Sequence, residues 1–272
     1  MGQKIKFTKM HGSGNDFVML DNRANTLPEN KNLLAQRLCD RIAGIGADGL
    51  IIIESSNDSD FKMRIINQDG SEAEMCGNGA RCAAHFAYSL GIVKNKMKFT
   101  TLAGPIGAEI VDDKINVRMI DPVDFEKDIE LDLDKFGKMK AYYINTGVPH
   151  VVIFVDDIDD VDVKEMGRSI RYNKHFKPKG TNVNFVQVIN SEIIKVRTYE
   201  RGVENETLAC GSGSTAAAII SGLEKGAAPP VKAHTRGGEI LEINFKIEKY
   251  DEIREVYLKG SVHVSFHGEM EI

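Results

Sequence analysis

Residues 67–81 read Asn67-Gln68-Asp69-Gly70-Ser71-Glu72-Ala73-Glu74-Met75-Cys76-Gly77-Asn78-Gly79-Ala80-Arg81. Residues 199–215 echo them as Tyr199-Glu200-Arg201-Gly202-Val203-Glu204-Asn205-Glu206-Thr207-Leu208-Ala209-Cys210-Gly211-Ser212-Gly213-Ser214-Thr215. In each, a polar loop containing glycine leads to Cys-Gly-x-Gly, then small residues, then an apolar pattern that reads as a helix. This places Cys76 and Cys210 at the entrances of two helices. Backbone N–H groups there lack intrahelical partners, and the helix dipole favours negative charge. Such a setting can lower a thiol pKa from about 8.5 toward neutrality, and it can hold a carboxylate. Both effects at one site would give an acid–base thiol beside an anchored acid group.

Working outward, the first half predicts two strands over residues 5–22 around Gly12-Ser13-Gly14, and a helix over 32–42 from the spacing of Leu33, Leu34, Leu38 and Ile42. A buried strand follows Gly49 at 50–53, and another strand runs over 61–66. The helix after Cys76 passes through Cys82, Phe86 and Leu90 and stops at Gly91, with strands at 98–102, 107–111 and 114–119. Residues 121–138, opening on Asp121-Pro122, are acidic and weakly patterned and read as a linker.

The pattern then restarts, with strand, turn and strand over 142–155, a short helix over 163–172, and strands at 183–188 and 195–200. Gly14 and Gly147, Gly49 and Asn182, Arg64 and Arg197, and Asn67 and Glu200 are each 133 residues apart. Cys76 and Cys210, like Thr101 and Thr235, are 134 apart, as one inserted residue would produce. Chance recurrence of glycine turns explains one or two such matches, not an ordered series near half the chain length. The reading is an internal duplication of one α/β unit. The two domains are 1–121, carrying Cys76, and 122–272, carrying Cys210, with the last strand free to return to the first domain.

The chain has 272 residues and ample apolar residues for a core. Its net charge of −5 argues against a nucleic-acid surface. Its start lacks an apolar run for a signal peptide, and no segment approaches the ~20 apolar residues that span a bilayer. Four cysteines in this length make no disulfide framework, so reduced thiols and a cytoplasmic location are expected. His263 and His267 share one strand face. With no third ligand evident, that face reads as partly exposed strand, and no metal is expected.

Two opposed thiols suit one chemistry: a thiolate removes a proton from carbon while the opposite thiol returns one to the other face. A carboxylate on that carbon would be held by both helix starts as charge develops. Taken singly, each cysteine reads as a small buried residue. Their matching places, each before Gly-x-Gly, favour catalysis. Cys39 and Cys82 have no such counterparts and read as structural.

Met10-His11-Gly12-Ser13-Gly14-Asn15-Asp16-Phe17, the two cysteine stretches and Tyr199-Glu200-Arg201-Gly202 resemble the diaminopimelate epimerases over nearly the whole chain. The resemblance implies an α+β fold of two pseudosymmetric α/β domains, each a mostly antiparallel sheet or barrel around a central helix. It implies interconversion of L,L- and meso-2,6-diaminopimelate in lysine and peptidoglycan precursor synthesis, without pyridoxal phosphate or other cofactor. The active site would lie in the cleft, with Cys76 and Cys210 catalytic. By resemblance, Asn67, Asn182, Glu200 and Arg201 bind the distal end of the substrate and Asn15 lies near the reacting end. Backbone groups around Gly77-Asn78 and Gly211-Ser212 hold the reacting carboxylate. His150 either tunes a thiol or serves its turn. A homodimer binding only its small-molecule substrate, without nucleic acid or membrane, is implied.

Two positions depart from the family pattern: Val148, where Asn is common, and Gly49, where Gln is common. A related racemase acting on proline or hydroxyproline is the nearest rival, against which Glu200-Arg201 suggests a second charged end. A thiol-disulfide protein would want Cys-x-x-Cys, and a phosphate binder Gly-Lys-Ser/Thr; neither is present. A non-catalytic binding module would follow if the thiols lay far apart.

Overall fold

Strand β1 (Lys4–Gly12) turns through Ser13 and Gly14, at φ of 58° and 82°, into β2 (Asn15–Asp21). Helix α1 (Lys31–Cys39) follows, capped by the Asn30 side chain, which accepts from Leu33 N. Then come β3 (Gly49–Glu54), β4 (Phe61–Asn67), β5 (Glu72–Ala73), α2 (Gly77–Ser89), β6 (Lys96–Thr101), β7 (Gly104–Val111) and β8 (Lys114–Arg118). The computed structural model describes residues 3–249 and 252–272.

Leu50, Ile51, Ile52 and Ile53 of β3 are all buried, on both faces of the strand. The reason is that α1 packs on one side of the sheet and α2 on the other. Helix α2 presents Ala80, Cys82, Ala83, Ala84 and Ala87, small residues that let it lie close to β1, β2, β3, β4 and β7. The sheet therefore wraps around it.

The second pass begins with β9 (Val123–Leu133), β10 (Gly137–Asn145), β11 (Pro149–Phe154), α3 (Val163–Arg171), β12 (Asn182–Val188) and β13 (Ile193–Glu200). It continues through β14 (Asn205–Thr207), α4 (Gly211–Lys225), β15 (Val231–Thr235), β16 (Ile240–Lys249) and β17 (Glu252–Gly260). The last strand, β18 (His263–Glu271), pairs with β1. The fold has two compact units: residues up to Val117 with Gly260–Ile272, and Arg118–Lys259.

The internal duplication is explicit in the pairing. β2–β3 and β11–β12 are parallel, β3–β4 and β12–β13 antiparallel, β4–β6 and β13–β15 parallel, and β6–β7 and β15–β16 antiparallel. β18 lies beside β1 as β9 lies beside β10. One ion pair repeats as well. Arg64 donates to Glu72 at 2.7 and 2.9 Å, and Arg197 to Glu206 at 2.7 and 2.9 Å. These are two mixed, mostly antiparallel α+β units, each around a central helix.

Two expectations are corrected. Residues 121–138 are no linker, because β9 occupies 123–133 and buries Ile129, Leu131 and Leu133. Its period-two pattern is confined to that end, and Asp124 and Asp128 stand at φ of 56° and 57°, where the register is irregular. Helix α1 stops at Cys39 and does not reach Ile42. The Asp40 carboxylate accepts from Ile42 N and Ala43 N at 2.8 and 2.7 Å, a local turn that competes with helix. Ile42 is 98% exposed and Leu33 61% exposed.

Candidate active site

Each of the two sequence stretches builds a helix entrance. Cys76 is the N-cap of α2, with extended backbone at φ −143°. Cys210 is the N-cap of α4, at φ −118°. Each cysteine's carbonyl starts its helix by accepting from the residue four on, Ala80 N at 2.7 Å and Ser214 N at 2.8 Å. The first amides of each helix have no intrahelical acceptor.

In the first unit, Cys76 is half-buried and its Sγ lies 3.5 Å from Asn15 Oδ1. Asn78 Nδ2 reaches the same oxygen at 3.5 Å. Asn15 is held in turn by Asp48, to which its Nδ2 donates at 2.7 Å. Arg41 binds Asp48 and Asp16 at 2.8 Å each. Burial would raise the Asp16 carboxyl, but hydrogen bonds from Arg41 and Lys9 outweigh it and hold the group down at about 2. Gly77 follows Cys76 directly. Asn67 is engaged elsewhere, since its side chain donates to Ser71 Oγ at 3.0 Å.

In the second unit, Cys210 is buried and its Sγ accepts from Gly213 N at 3.4 Å. Ser212 Oγ lies 3.5 Å from the sulfur, and His150 Nε2 is 3.0 Å from that hydroxyl. The hairpin before β11 is tied to the same helix start, because Thr146 Oγ1 donates to the Ser212 carbonyl at 3.3 Å. His150 is fully buried, and burial, with the nearby Arg201 charge, pushes its pKa down to about 3. It is therefore neutral at physiological pH. On the neighbouring strand Asn182 stands in register with His150. Its Oδ1 accepts from Arg201 N at 2.8 Å, and its Nδ2 donates to the Pro149 carbonyl at 3.0 Å. Asn182 thus fixes the corner where Glu200 ends β13 and Arg201 begins the loop.

Sequence reading missed two polar groups. Arg81 is fully buried one turn into α2, donating to Ser13 Oγ at 2.7 Å and Asn78 Oδ1 at 3.0 Å. Asn184 is fully buried between Val183 and Phe185, beneath the start of α4. The available signal was a polar residue with apolar neighbours on both sides, which must find partners when buried. The other cysteines fit a packing role. Cys39 is buried, and burial pushes its thiol up to about 12, while Cys82 is buried inside α2. His263 stacks on His11 at 5.0 Å, and His267 Nδ1 lies 2.9 Å from Thr8 Oγ1. Among the described residues, no group of three or more His, Cys, Asp or Glu is placed to hold a metal. No helix there is long and apolar enough to cross a membrane.

The family model for diaminopimelate epimerase matches residues 7–125 and 142–264, both helix entrances included. The chain belongs to the diaminopimelate epimerase family. The diaminopimelate epimerase of Aquifex aeolicus is 47% identical, covering 98% of each chain. That of Hydrogenobaculum sp. is 44% identical over 96% of each, and that of Methanocella arvoryzae 41% identical over 99% of this chain and 98% of its own. Among solved structures, a PhzF-family phenazine biosynthesis protein from Bacillus anthracis superimposes with a TM-score of 0.75 at 14% identity, covering 99% of this chain and 100% of that one. A hydroxyproline epimerase from Agrobacterium vitis gives 0.75 at 12% identity, covering 100% and 94%. At these identities the structural likeness speaks for the fold alone: a diaminopimelate epimerase shares its duplicated architecture with enzymes of other names.

Proposed function

We propose that this chain epimerises L,L- and meso-2,6-diaminopimelate by acid–base chemistry of Cys76 and Cys210 on one α-carbon. The observation that carries the two-thiol part is that both cysteines are N-caps of equivalent helices in two copies of one fold. In this reading one sulfur, as thiolate, takes the α-proton, and the other, as thiol, delivers a proton to the opposite face. The pair holds one proton before and after turnover. Amides at Gly77-Asn78 and Gly211-Ser212 take the α-carboxylate, and their dipoles offset the charge that builds as the C–H bond breaks. The chemistry runs without pyridoxal phosphate or a metal.

Arg201 suits the distal carboxylate, which a guanidinium can grip with two parallel hydrogen bonds. Glu200 and Oδ1 of Asn67, whose amide nitrogen is the end engaged by Ser71, suit the distal ammonium. Asn182 supports them by holding the Arg201 main chain, and Asn15 suits the reacting end. Val148 offers no polar side chain and Gly49 no side chain at all, so selectivity in this chain falls on Glu200, Arg201 and Asn182. A cytoplasmic homodimer belongs to the same reading, on family likeness alone.

The second reading is a proline or hydroxyproline racemase, favoured by the likeness of fold to the hydroxyproline epimerase. Polarimetric or chiral chromatographic assays on L,L-diaminopimelate, L-proline and trans-4-hydroxy-L-proline separate the two. Inversion of diaminopimelate alone is expected. Inversion of either cyclic amino acid at a comparable rate would contradict the assignment.

A further inference from the structure

The two sulfurs sit in hydrogen-bond networks of opposite direction, and the direction can be read without seeing a hydrogen. In the first unit, Asn15 Nδ2 is identified as nitrogen because its partner, 2.7 Å away, is the Asp48 carboxylate, which only accepts. The atom 3.5 Å from Cys76 Sγ is therefore the amide oxygen. An amide oxygen cannot donate, so in this contact Cys76 supplies the proton.

In the second unit the Val151 carbonyl lies 2.9 Å from Asn184 Nδ2, which fixes that atom as nitrogen, while Asn184 Oδ1 accepts from the Thr198 hydroxyl at 3.0 Å. The same nitrogen is 3.2 Å from His150 Nδ1. Nδ1 must then accept, and the single ring proton of the neutral imidazole lies on Nε2. Nε2–H donates to Ser212 Oγ at 3.0 Å, which occupies an acceptor site of that hydroxyl and frees its hydrogen for Cys210 Sγ, 3.5 Å away. Gly213 N–H adds a second donor to that sulfur. In these contacts Cys210 accepts.

The repeat makes the contrast sharper. The counterparts of His150 and Asn184, 133 residues earlier, are Phe17 and Ile51, both buried and apolar. The counterpart of Asn15 is Val148, whose side chain cannot accept from a thiol. Each half-site thus carries polar groups at positions where the other is apolar. Gly213 belongs to the same design, because a side chain there would collide with Asn184 Oδ1 and press on Cys210 Sγ.

We propose that the thiols rest in different protonation states, Cys76 as thiol and Cys210 as thiolate, and that Asn184 is the positioning residue that sets this by fixing the tautomer of His150. The proposal rests on the two-thiol reading above. From this state Cys210 takes the α-proton and becomes a thiol, while Cys76 gives its proton to carbon and becomes a thiolate. The epimer whose α-hydrogen faces Cys210 reacts with the resting enzyme directly, and the other first requires the proton to move between the sulfurs. Burial keeps His150 from taking a second proton, which would turn Nδ1 into a donor facing the Asn184 nitrogen.

Long-range proton–nitrogen NMR of the full-length protein reads the His150 tautomer, assigned with His150→Gln. Far-ultraviolet thiolate absorbance of Cys76→Ala and Cys210→Ala, each taken against the double variant, reads the sulfurs. The expected result is Nε2–H on His150 and a larger thiolate signal from Cys210 than from Cys76. Asn184→Asp, whose ionised carboxylate only accepts, should move the ring proton to Nδ1 and lower the thiolate-to-thiol ratio of Cys210 about tenfold. A wild-type Nδ1–H tautomer, equal thiolate signals, or an unchanged Cys210 signal in a folded Asn184→Asp protein would overturn it. Should Asn184→Asp not fold, the tautomer and the single-cysteine signals decide alone. Failure of the two-thiol reading is seen separately, as inversion that survives loss of either cysteine.

Discussion

Alanine in place of Cys76 or of Cys210 is expected to lower kcat for diaminopimelate inversion by at least about 10³-fold, the scale of a lost general acid or base. Either loss suffices, because a carbon that can exchange its proton on only one face cannot invert. The fold should survive both changes. Cys76 makes no side-chain cap hydrogen bond to α2, so its truncation leaves the helix cap unchanged. Cys210 does cap α4, accepting from Gly213 N, and its loss costs about 1 kcal/mol, as for other N-caps. Circular dichroism and thermal melting alongside the kinetics separate the two effects. A folded Cys210→Ala protein that inverts diaminopimelate within about tenfold of the wild-type rate would contradict general acid–base roles of the usual size.

Arg201→Lys should cost about 10²-fold in kcat/KM. Lysine keeps the charge but loses the planar fork, so the distal carboxylate is no longer held in one orientation. Misplacing that end moves the reacting carbon relative to the sulfurs, and reaction rates fall steeply with such errors. The substitution is a clean one, because the loop is held through the main chain: Asn182 Oδ1 accepts from Arg201 N at 2.8 Å whatever the side chain. The guanidinium's own internal tie, to the Lys179 carbonyl, is long at 3.4 Å. Steady-state kinetics on L,L-diaminopimelate check the expectation. Unchanged kinetics would remove Arg201 from the distal end.

Much of this molecule is legible in its sequence because duplication writes each feature twice. The offsets of 133 and 134 align Arg64 with Arg197 and Cys76 with Cys210, and the structure gives those pairs the same strands, ion pairs and caps. Local chemistry announced the turns, as at Ser13-Gly14 and Gly147. Strand β9 was missed because its alternation is broken by two residues at positive φ, whose conformations reflect pairing with β10 and not local preference. Ile42 was misassigned because helical spacing continues past the point where Asp40 captures the backbone. The supporting groups of the two half-sites were hidden for a different reason. Asn184 meets His150 across a sequence separation of 34, and Asp48 meets Asn15 across 33. Parallel strand pairing brings them together, and no pattern of spacing along one strand reveals it.

That two sulfurs, and not one shuttling base, serve the inverted carbon is checked by running the reaction from L,L-diaminopimelate in heavy water and measuring deuterium in the first few per cent of product and in the remaining substrate. The proton removed by one thiolate stays on that sulfur, and the proton delivered comes from the other, already exchanged with solvent. Early product is expected to carry deuterium at the inverted carbon while unreacted substrate keeps its hydrogen. Early product that retains the substrate's own hydrogen would contradict it.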